Sequence, residues 1–292
     1  MKVLVTGRGG QLASSLKDLA PEDAEIHSFS VDELDITDRD HVMQRITTLR
    51  PDVIINGAAF TAVDKAEEQS DLAHRVNALG PMHLSMAASE IGSRLVQPST
   101  DFVFDGEGET PWKPDSTPSP VSVYGRTKLE GEESVIHNCR APWTIVRTAW
   151  VYSDIGSNFL LSMLRFMKEG KSLRIIDDQH GTPTWSGSLA RAIWCLIDRK
   201  IDGIQHWTDD GSTTWFGFAS AIGELGVETG MLQTMPEISP IPTSEYPTPA
   251  TRPAFSVLDK SGTWSLLDGA HCMPPVHWRE NLRNVMMELK HG

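Results

Sequence analysis

The chain has 292 residues, with 26 Lys plus Arg against 39 Asp plus Glu and a formal charge of −13. That length supplies one large α/β domain or two unequal ones and excludes a stapled mini-protein, while the acidic balance argues against nucleic-acid binding or a polybasic membrane foot. A hydrophobic fraction of 39% beside 22% charged residues fits a folded core and a wet surface rather than disorder.

The first strand starts at once with Lys2-Val-Leu-Val-Thr6, leaving no room for a signal peptide. No later run approaches a membrane span, so a cytoplasmic location is expected. Val3, Leu4 and Val5 form a continuous apolar run, as in a parallel strand buried on both faces. Gly7-Arg-Gly-Gly-Gln-Leu-Ala13 follows and opens a helix. Gly7 suits a tight turn, and Gly10 lets a pyrophosphate approach the helix amino end, where unpaired amides favour negative charge. Ala13 stands where a third glycine is common, and a plain turn is the alternative reading.

Ile26 to Ser30 reads as a second strand, and it ends without the acidic residue that would hold a free ribose. Arg8, inside the glycine turn, is suited to a 2′-phosphate, so NADPH is preferred; nearby Asp32 and Glu33 keep NADH as the alternative. Asp35 and Ile36 are placed to flank the adenine. Pro51 to Asn56 is a third strand, Leu72 to Ile91 has helical spacing, and strands return at Arg94 to Ser99 and Trp143 to Arg147. This alternation predicts an α/β fold, a Rossmann-like doubly wound parallel sheet.

Beyond residue 150 the pattern is less regular. Phe159 to Met167 and Ser188 to Ile197 are predicted helices, separated by apolar Leu173 to Ile176 and turn-prone Asp177 to Thr184. Six of the 18 prolines fall between Pro236 and Pro253, predicting a surface connection without regular structure. His277 to Lys290 closes the chain as a helix. Residues 1–150 are therefore expected to form mainly the dinucleotide-binding domain and 151–292 mainly a smaller substrate-binding portion, with some later segments returning to the sheet. All nine tryptophans lie from Trp112 onward, consistent with two functional halves. Cys139, Cys195 and Cys272 are widely spaced and odd in number, so free thiols in a reducing compartment are expected. His180, His206, His271 and His277 have no transition-metal spacing.

Tyr124-Gly-Arg-Thr-Lys128 puts a phenol and an ammonium four residues apart, on one face of a helix that begins there. A nearby cation favours phenolate, so Tyr124 can pass a proton to a carbonyl oxygen as hydride arrives; an ordinary surface pair is the alternative. Gln97-Pro-Ser-Thr-Asp101 ends its strand at the carboxyl edge of the sheet, where such folds bind ligands, and Thr100 or Ser99 can donate to the same oxygen.

The glycine turn, Asn56-Gly-Ala-Ala-Phe-Thr61, Ser99-Thr100 and Tyr124 to Lys128 resemble the extended short-chain dehydrogenase/reductase superfamily. Thr61 to Glu67, Ser99 to Gly106, Tyr124 to Glu132, Arg147 to Tyr152, Gly156 to Phe159, Asp178 to Thr184 and Arg252 to Ser256 more closely resemble the dTDP-4-dehydrorhamnose reductase family, nearly end to end. The resemblance implies reduction of the C4 ketone of a dTDP-sugar, with Thr100, Tyr124 and Lys128 as the catalytic set. It places Gly7, Arg8, Gly10, Gln11, Leu12, Asp35, Ile36, Ala58, Ala59, Asn77, Tyr124 and Lys128 at the cofactor. It places Lys65, Thr100, Val103, Phe104 and Trp150 at the substrate, with Arg252 near its diphosphate. Phe60 and Phe102 stand where the family often has tyrosine, and Ala149 where it often has serine. Mg²⁺ at a subunit contact and a homodimer are further implications of the resemblance, although no acidic cluster marks a metal site. Another nucleotide-sugar 4-ketoreductase and a non-catalytic dinucleotide-binding regulatory subunit are the alternatives.

Overall fold

The computed structural model describes residues 1–268, Cys272 and 275–291. The chain runs β1 (Lys2–Thr6), α1 (Gln11–Asp18), β2 (Glu25–Phe29), α2 (Arg39–Leu49), β3 (Val53–Ile55), α3 (Val63–Glu68) and α4 (Ser70–His74). A π-helical turn at Arg75–Leu79 leads into α5 (Gly80–Ile91), β4 (Arg94–Thr100), α6 (Val123–Asn138), β5 (Trp143–Thr148), β6 (Val151–Tyr152), α7 (Phe159–Lys168) and β7 (Leu173–Ile176). β8 (His180–Gly181), β9 (Thr184–Trp185), α8 (Ser186–Asp198), β10 (Gly203–His206), β11 (Thr213–Thr214), α9 (Trp215–Glu228), β12 (Ile238–Ile241), α10 (Ser261–Leu267) and α11 (Trp278–His291) follow.

Six parallel strands form the main sheet in the order β10-β5-β4-β3-β1-β2. Side chains alternate across a strand, so each apolar run divides between the two faces. Val3, Val5, Val53, Ile55, Val96 and Val146 pack on the side of α1 and α8. Leu4, Ile54, Leu95 and Ile145 pack on the side of α2 and α5. Fully burying one such side chain stabilises the fold by about 1.5–3 kcal/mol. The chain moves from β1 outward to β2 and then crosses back to β3, which creates a switch point where the turns after β1 and β3 meet.

A second apolar cluster unites α7, α9 and α11 through Leu160, Leu164, Phe218, Ile222, Leu282 and Met286. β10 and α8, both beyond residue 150, belong to the sheet and its covering layer. The indole of Trp194 in α8 donates to the Leu16 carbonyl of α1 at 3.2 Å.

The structure differs from the sequence expectations in several places. The helix expected over 72–91 is broken by the π-helical turn. The proline-rich stretch contains a strand, β12, whose register partner is β7; as one of only two strands in that sheet it tolerates Pro240, because a missing ladder donor matters least at an edge. The expectation of three free thiols is corrected: Cys195 and Cys272 form a disulfide with a Cα–Cα distance of 6.0 Å, whereas Cys139 is free and buried. The two bridged residues are 77 positions apart and meet only because α8 packs beside the C-terminal segment. His271 lies outside the described residues. No helix among the described residues is long and apolar enough to cross a membrane.

Candidate active site

The turn after β1 is built around Gly7, whose φ is +75°. A Cβ there would lie 2.6 Å from the Gly57 carbonyl group, so glycine alone lets this turn close against the turn after β3. The N-cap of α1 is Gly10, which provides no side-chain cap; the first amides of the helix therefore remain available to an anion. Gly7, Arg8, Gly10, Gln11, Leu12, Asp35, Ile36, Ala58, Ala59, Tyr124 and Lys128 line one cleft of about 620 Å³.

Several of these residues are already engaged. Arg8 meets Glu33 at 2.8 Å. The Ser30 amide, its hydroxyl and Arg8 together hold the Glu33 carboxyl below the usual carboxylate range. Asp35 accepts from the Thr37 amide at 2.9 Å, and Gln11 accepts from Ser153 and Asn158 at 3.1 and 3.0 Å. Asn77, expected at the cofactor, lies outside the cleft lining. Its amide is consumed by the Phe60 backbone, at 2.8 and 3.0 Å, and by Thr127 at 3.2 Å. Asn77 therefore supports the Ala58 and Ala59 loop from behind, and the π-helical turn aims it there, a common use of such a bulge.

The cleft passes a test of fit for a dinucleotide. The glycine cradle would be filled by any Cβ at Gly7. Two hydroxyls on its lining, Ser99 Oγ and Thr148 Oγ1, are buried with no hydrogen-bond partner among the described residues. Buried polar groups seek partners, so a polar ligand in the cleft suits them.

α6 carries the proton chemistry. Its N-cap Ser122 accepts from the Gly125 amide at 3.1 Å, and Glu67 accepts from the Val123 amide at 2.8 Å. A Cβ on Gly125 would stand 2.2 Å from the Phe102 carbonyl oxygen, and one on Gly131 2.1 Å from that of Asn77. These two glycines let α6 press against the cleft. Tyr124 packs edge-on to Phe102, with centroids 5.5 Å apart. Lys128 donates to the Pro98 carbonyl at 2.7 Å. Thr100 Oγ1 donates to Asp101 at 3.0 Å and accepts from the Phe102 amide at 3.2 Å.

Burial pushes the Tyr124 phenol up to about 12 and Lys128 down to about 8, the latter against the opposing charge of Glu132. Burial also raises Asp101 to about 6. Desolvation disfavours the charged phenolate, and the nearby Asp101 acts in the same direction against a hydrogen bond with Thr100. Tyr124 holds its proton across the physiological range, as a proton donor must.

On the substrate side, Lys65 is exposed on α3. Its neighbour Asp64 grips Arg252 with two hydrogen bonds of 3.1 and 2.7 Å, and Arg252 lies beside the same stretch of α3. Val103 and Phe104, expected to touch substrate, are 0% exposed. Phe104 stacks on Trp112 at 4.7 Å, and the guanidinium of Arg147 lies over its ring at 5.2 Å. Their side chains pack with Leu258 in one small cluster and are not part of the cleft lining. Trp150 lies just past β5 and stacks on Trp215. Asp101, Thr148 and Trp215 were not singled out from the sequence; Asp101 sat inside a motif that was noted, whereas Trp215 is contributed by a distant helix and leaves no local signal. Among the described residues no group of three or more His, Cys, Asp or Glu side chains is arranged to hold a metal.

Helix amides at a sheet switch point, opposite a tyrosine and a lysine one turn apart, define a dinucleotide-dependent oxidoreductase of the extended short-chain dehydrogenase/reductase class. The family model described as RmlD substrate binding domain matches residues 1–291, and the chain belongs to that family. It is 39% identical over 269 residues to the dTDP-4-dehydrorhamnose reductase of Salmonella typhimurium, covering 89% of each chain. A crystal structure of a dTDP-4-dehydrorhamnose reductase from Clostridium acetobutylicum superposes with a TM-score of 0.92 at 40% identity, covering 99% of this chain and 100% of that one. The dTDP-4-dehydrorhamnose reductase of Bacillus anthracis, in complex with NADP, superposes with a TM-score of 0.91 at 34% identity, covering 98% and 99%.

Proposed function

We propose that the protein uses NADPH to reduce the C4 ketone of dTDP-4-dehydro-β-L-rhamnose, giving dTDP-L-rhamnose, with NADH as the alternative coenzyme. The observation that carries this reading is Tyr124 and Lys128, one helical turn apart, on the wall of the cleft that the glycine turn opens. Gly7, Arg8, Gly10, Gln11, Leu12, Asp35, Ile36, Ala58 and Ala59 would hold the dinucleotide. When bound, NADPH supplies the hydride that reaches C4.

Tyr124 gives its proton to the ketone oxygen as negative charge develops there, so the product hydroxyl forms without a free oxyanion. Lys128, fixed by Pro98, stabilises the phenolate that Tyr124 leaves, and solvent returns the proton. When the ketone binds, Thr100 turns its single hydroxyl proton from Asp101 to the same oxygen and aligns the ketone. Lys65 and Arg252 offset the diphosphate charge; Asp64 already sets the direction of the Arg252 fork. Trp150 gives the substrate an aromatic contact. Residues 1–150 serve mainly the dinucleotide and 151–292 mainly the sugar nucleotide. A cytoplasmic location and a homodimer complete the reading; fractionation and light scattering test them.

The direct test follows NADPH and NADH oxidation with dTDP-4-dehydrorhamnose and resolves the sugar product. Stoichiometric dTDP-L-rhamnose that collapses in Tyr124→Phe supports the reading. No reduction by folded wild-type protein rejects it. A second reading, reduction of a different nucleotide-sugar ketone, draws on Phe102 at the catalytic tyrosine, where the family often has a hydroxyl. Competition among 4-keto sugars separates the two.

A further inference from the structure

Asp178-Gln-His-Gly-Thr-Pro-Thr184 stands out in the sequence, yet none of the catalytic steps above uses it. In the structure this segment surrounds Trp150. The Thr184 amide donates to the Trp150 carbonyl at 3.2 Å. A Cβ on Gly181 would lie 2.4, 2.6 and 2.7 Å from Cε2, Cζ2 and Nε1 of the Trp150 indole, so the glycine is seated directly against the ring.

Trp150 itself has a φ of +46°. A bulky residue seldom occupies this left-handed region, and it does so where the surroundings over-determine the conformation. The second restraint is Trp215, whose indole stacks on Trp150 with centroids 3.6 Å apart and planes 7° from parallel. Phe159 backs Trp215 at 4.7 Å.

One small ladder links both restraints. β8 pairs with β11, matching Gly181 to Thr213 and His180 to Thr214, and Trp215 follows at once. Thr214 caps α9 by accepting from the Gly217 amide at 3.0 Å and donates to Asp177 at 2.6 Å. The amide and carbonyl of His180 bond to the backbone of Ala254 and Ser256 at 2.7 and 2.8 Å, two and four residues beyond Arg252. The segment thus connects the aromatic side of the pocket to the chain that carries the guanidinium.

We propose that Gly181 and Trp215 are positioning residues that fix the Trp150 indole at the carboxyl edge of the sheet to receive the sugar nucleotide. The inference rests on the reading of Trp150 as a substrate contact. The ladder presets an aromatic surface, so the substrate binds a ring that is already ordered and pays no cost to arrange it.

The test uses the full-length protein with saturating NADPH and three variants: Gly181→Ala, Trp215→Leu and Trp215→Phe. Turnover of dTDP-4-dehydrorhamnose gives KM and kcat, and calorimetry gives the affinities for dTDP and NADPH. Gly181→Ala and Trp215→Leu are expected to raise the sugar-nucleotide KM about five- to tenfold, with kcat changed less than about threefold and NADPH affinity unchanged. Trp215→Phe, which keeps an aromatic ring, is expected to recover most of the loss. Unchanged KM in both Gly181→Ala and Trp215→Leu overturns the proposal. So does a parallel fall in kcat, NADPH affinity and Tm, which marks a merely structural role. A wild-type enzyme that binds dTDP without reducing the ketone overturns the functional reading instead, and the variants' dTDP affinities then decide the positioning claim. A wild type that does neither overturns both.

Discussion

On the dinucleotide side, the cleft is shaped by residues with little or no side chain: Gly7 closes against Gly57, and Ala58 and Ala59 form the floor, propped by Asn77. The packing behind α6 and β5 is carried by bulky buried groups, with Phe104 stacked on Trp112 and Arg147 paired with Glu132 at 2.7 Å. One side is specified by what is missing from the backbone, and the other by what fills the space behind it. A substitution should therefore damage the first by adding atoms and the second by removing them.

The largest effect is expected in the filled packing. Arg147 and Glu132 are 2% and 1% exposed, and a buried pair stripped of one partner leaves an uncompensated charge. Arg147→Ala is expected to lower unfolding free energy by about 3–5 kcal/mol, measured by urea denaturation; a loss below about 1 kcal/mol would show that this region does not depend on its filling. Gly7→Ala is the matching insertion on the other side. It should cost about 1–3 kcal/mol, from the positive φ and the backbone collision, and weaken NADPH in a calorimetric titration. Stability and affinity equal to wild type would break the comparison there.

The pH dependence sharpens it further. Lys128 is protonated below about 8 and Tyr124 below about 12, so both carry their protons at neutral pH. Reductive kcat/KM, which reports the free enzyme, should be flat up to about pH 8 and then fall about tenfold per unit as Lys128 loses its proton. Lys128→Arg, which keeps the charge, should remove that limb from the accessible range even where its absolute rate is low. A flat wild-type profile to pH 10 would deny Lys128 the role. The smallest effect belongs to Glu33, which faces Arg8 at the surface. Exposed ion pairs are weak, so Glu33→Gln should shift the NADPH to NADH preference toward NADPH by only about two- to fivefold, read from the two kcat/KM values.

Much of the first region was legible because its signals are local. Val3 to Val5, the glycine turn and the Tyr124 and Lys128 spacing each lie within a few residues, and each acts within one strand, one turn or one helix. The second region was less so. Trp215 reaches Trp150 from a helix 65 positions downstream, Cys195 finds Cys272 across 77, and β10 joins the sheet after a long excursion. Those pairings are decided by packing between distant segments, which leaves no periodic trace. Val103 and Phe104 follow a legible motif, but only the fold reveals that their side chains are buried against Leu258. Spacing likewise discloses the cation four residues from Tyr124 but not the burial that raises the phenol.

The central claim, that Tyr124 protonates a ketone carbon's oxygen while hydride enters from the dinucleotide cleft, is tested most directly by isotope transfer. Wild-type protein and Tyr124→Phe would be mixed with dTDP-4-dehydrorhamnose and NADPH carrying deuterium at the nicotinamide C4 position, in a single turnover followed by mass spectrometry and NMR. Deuterium at the sugar C4 in wild type, with a rate about 10²–10⁴-fold lower in Tyr124→Phe and unchanged coenzyme binding, is the predicted result. Deuterium absent from C4, or equal transfer rates in the two proteins, would contradict it.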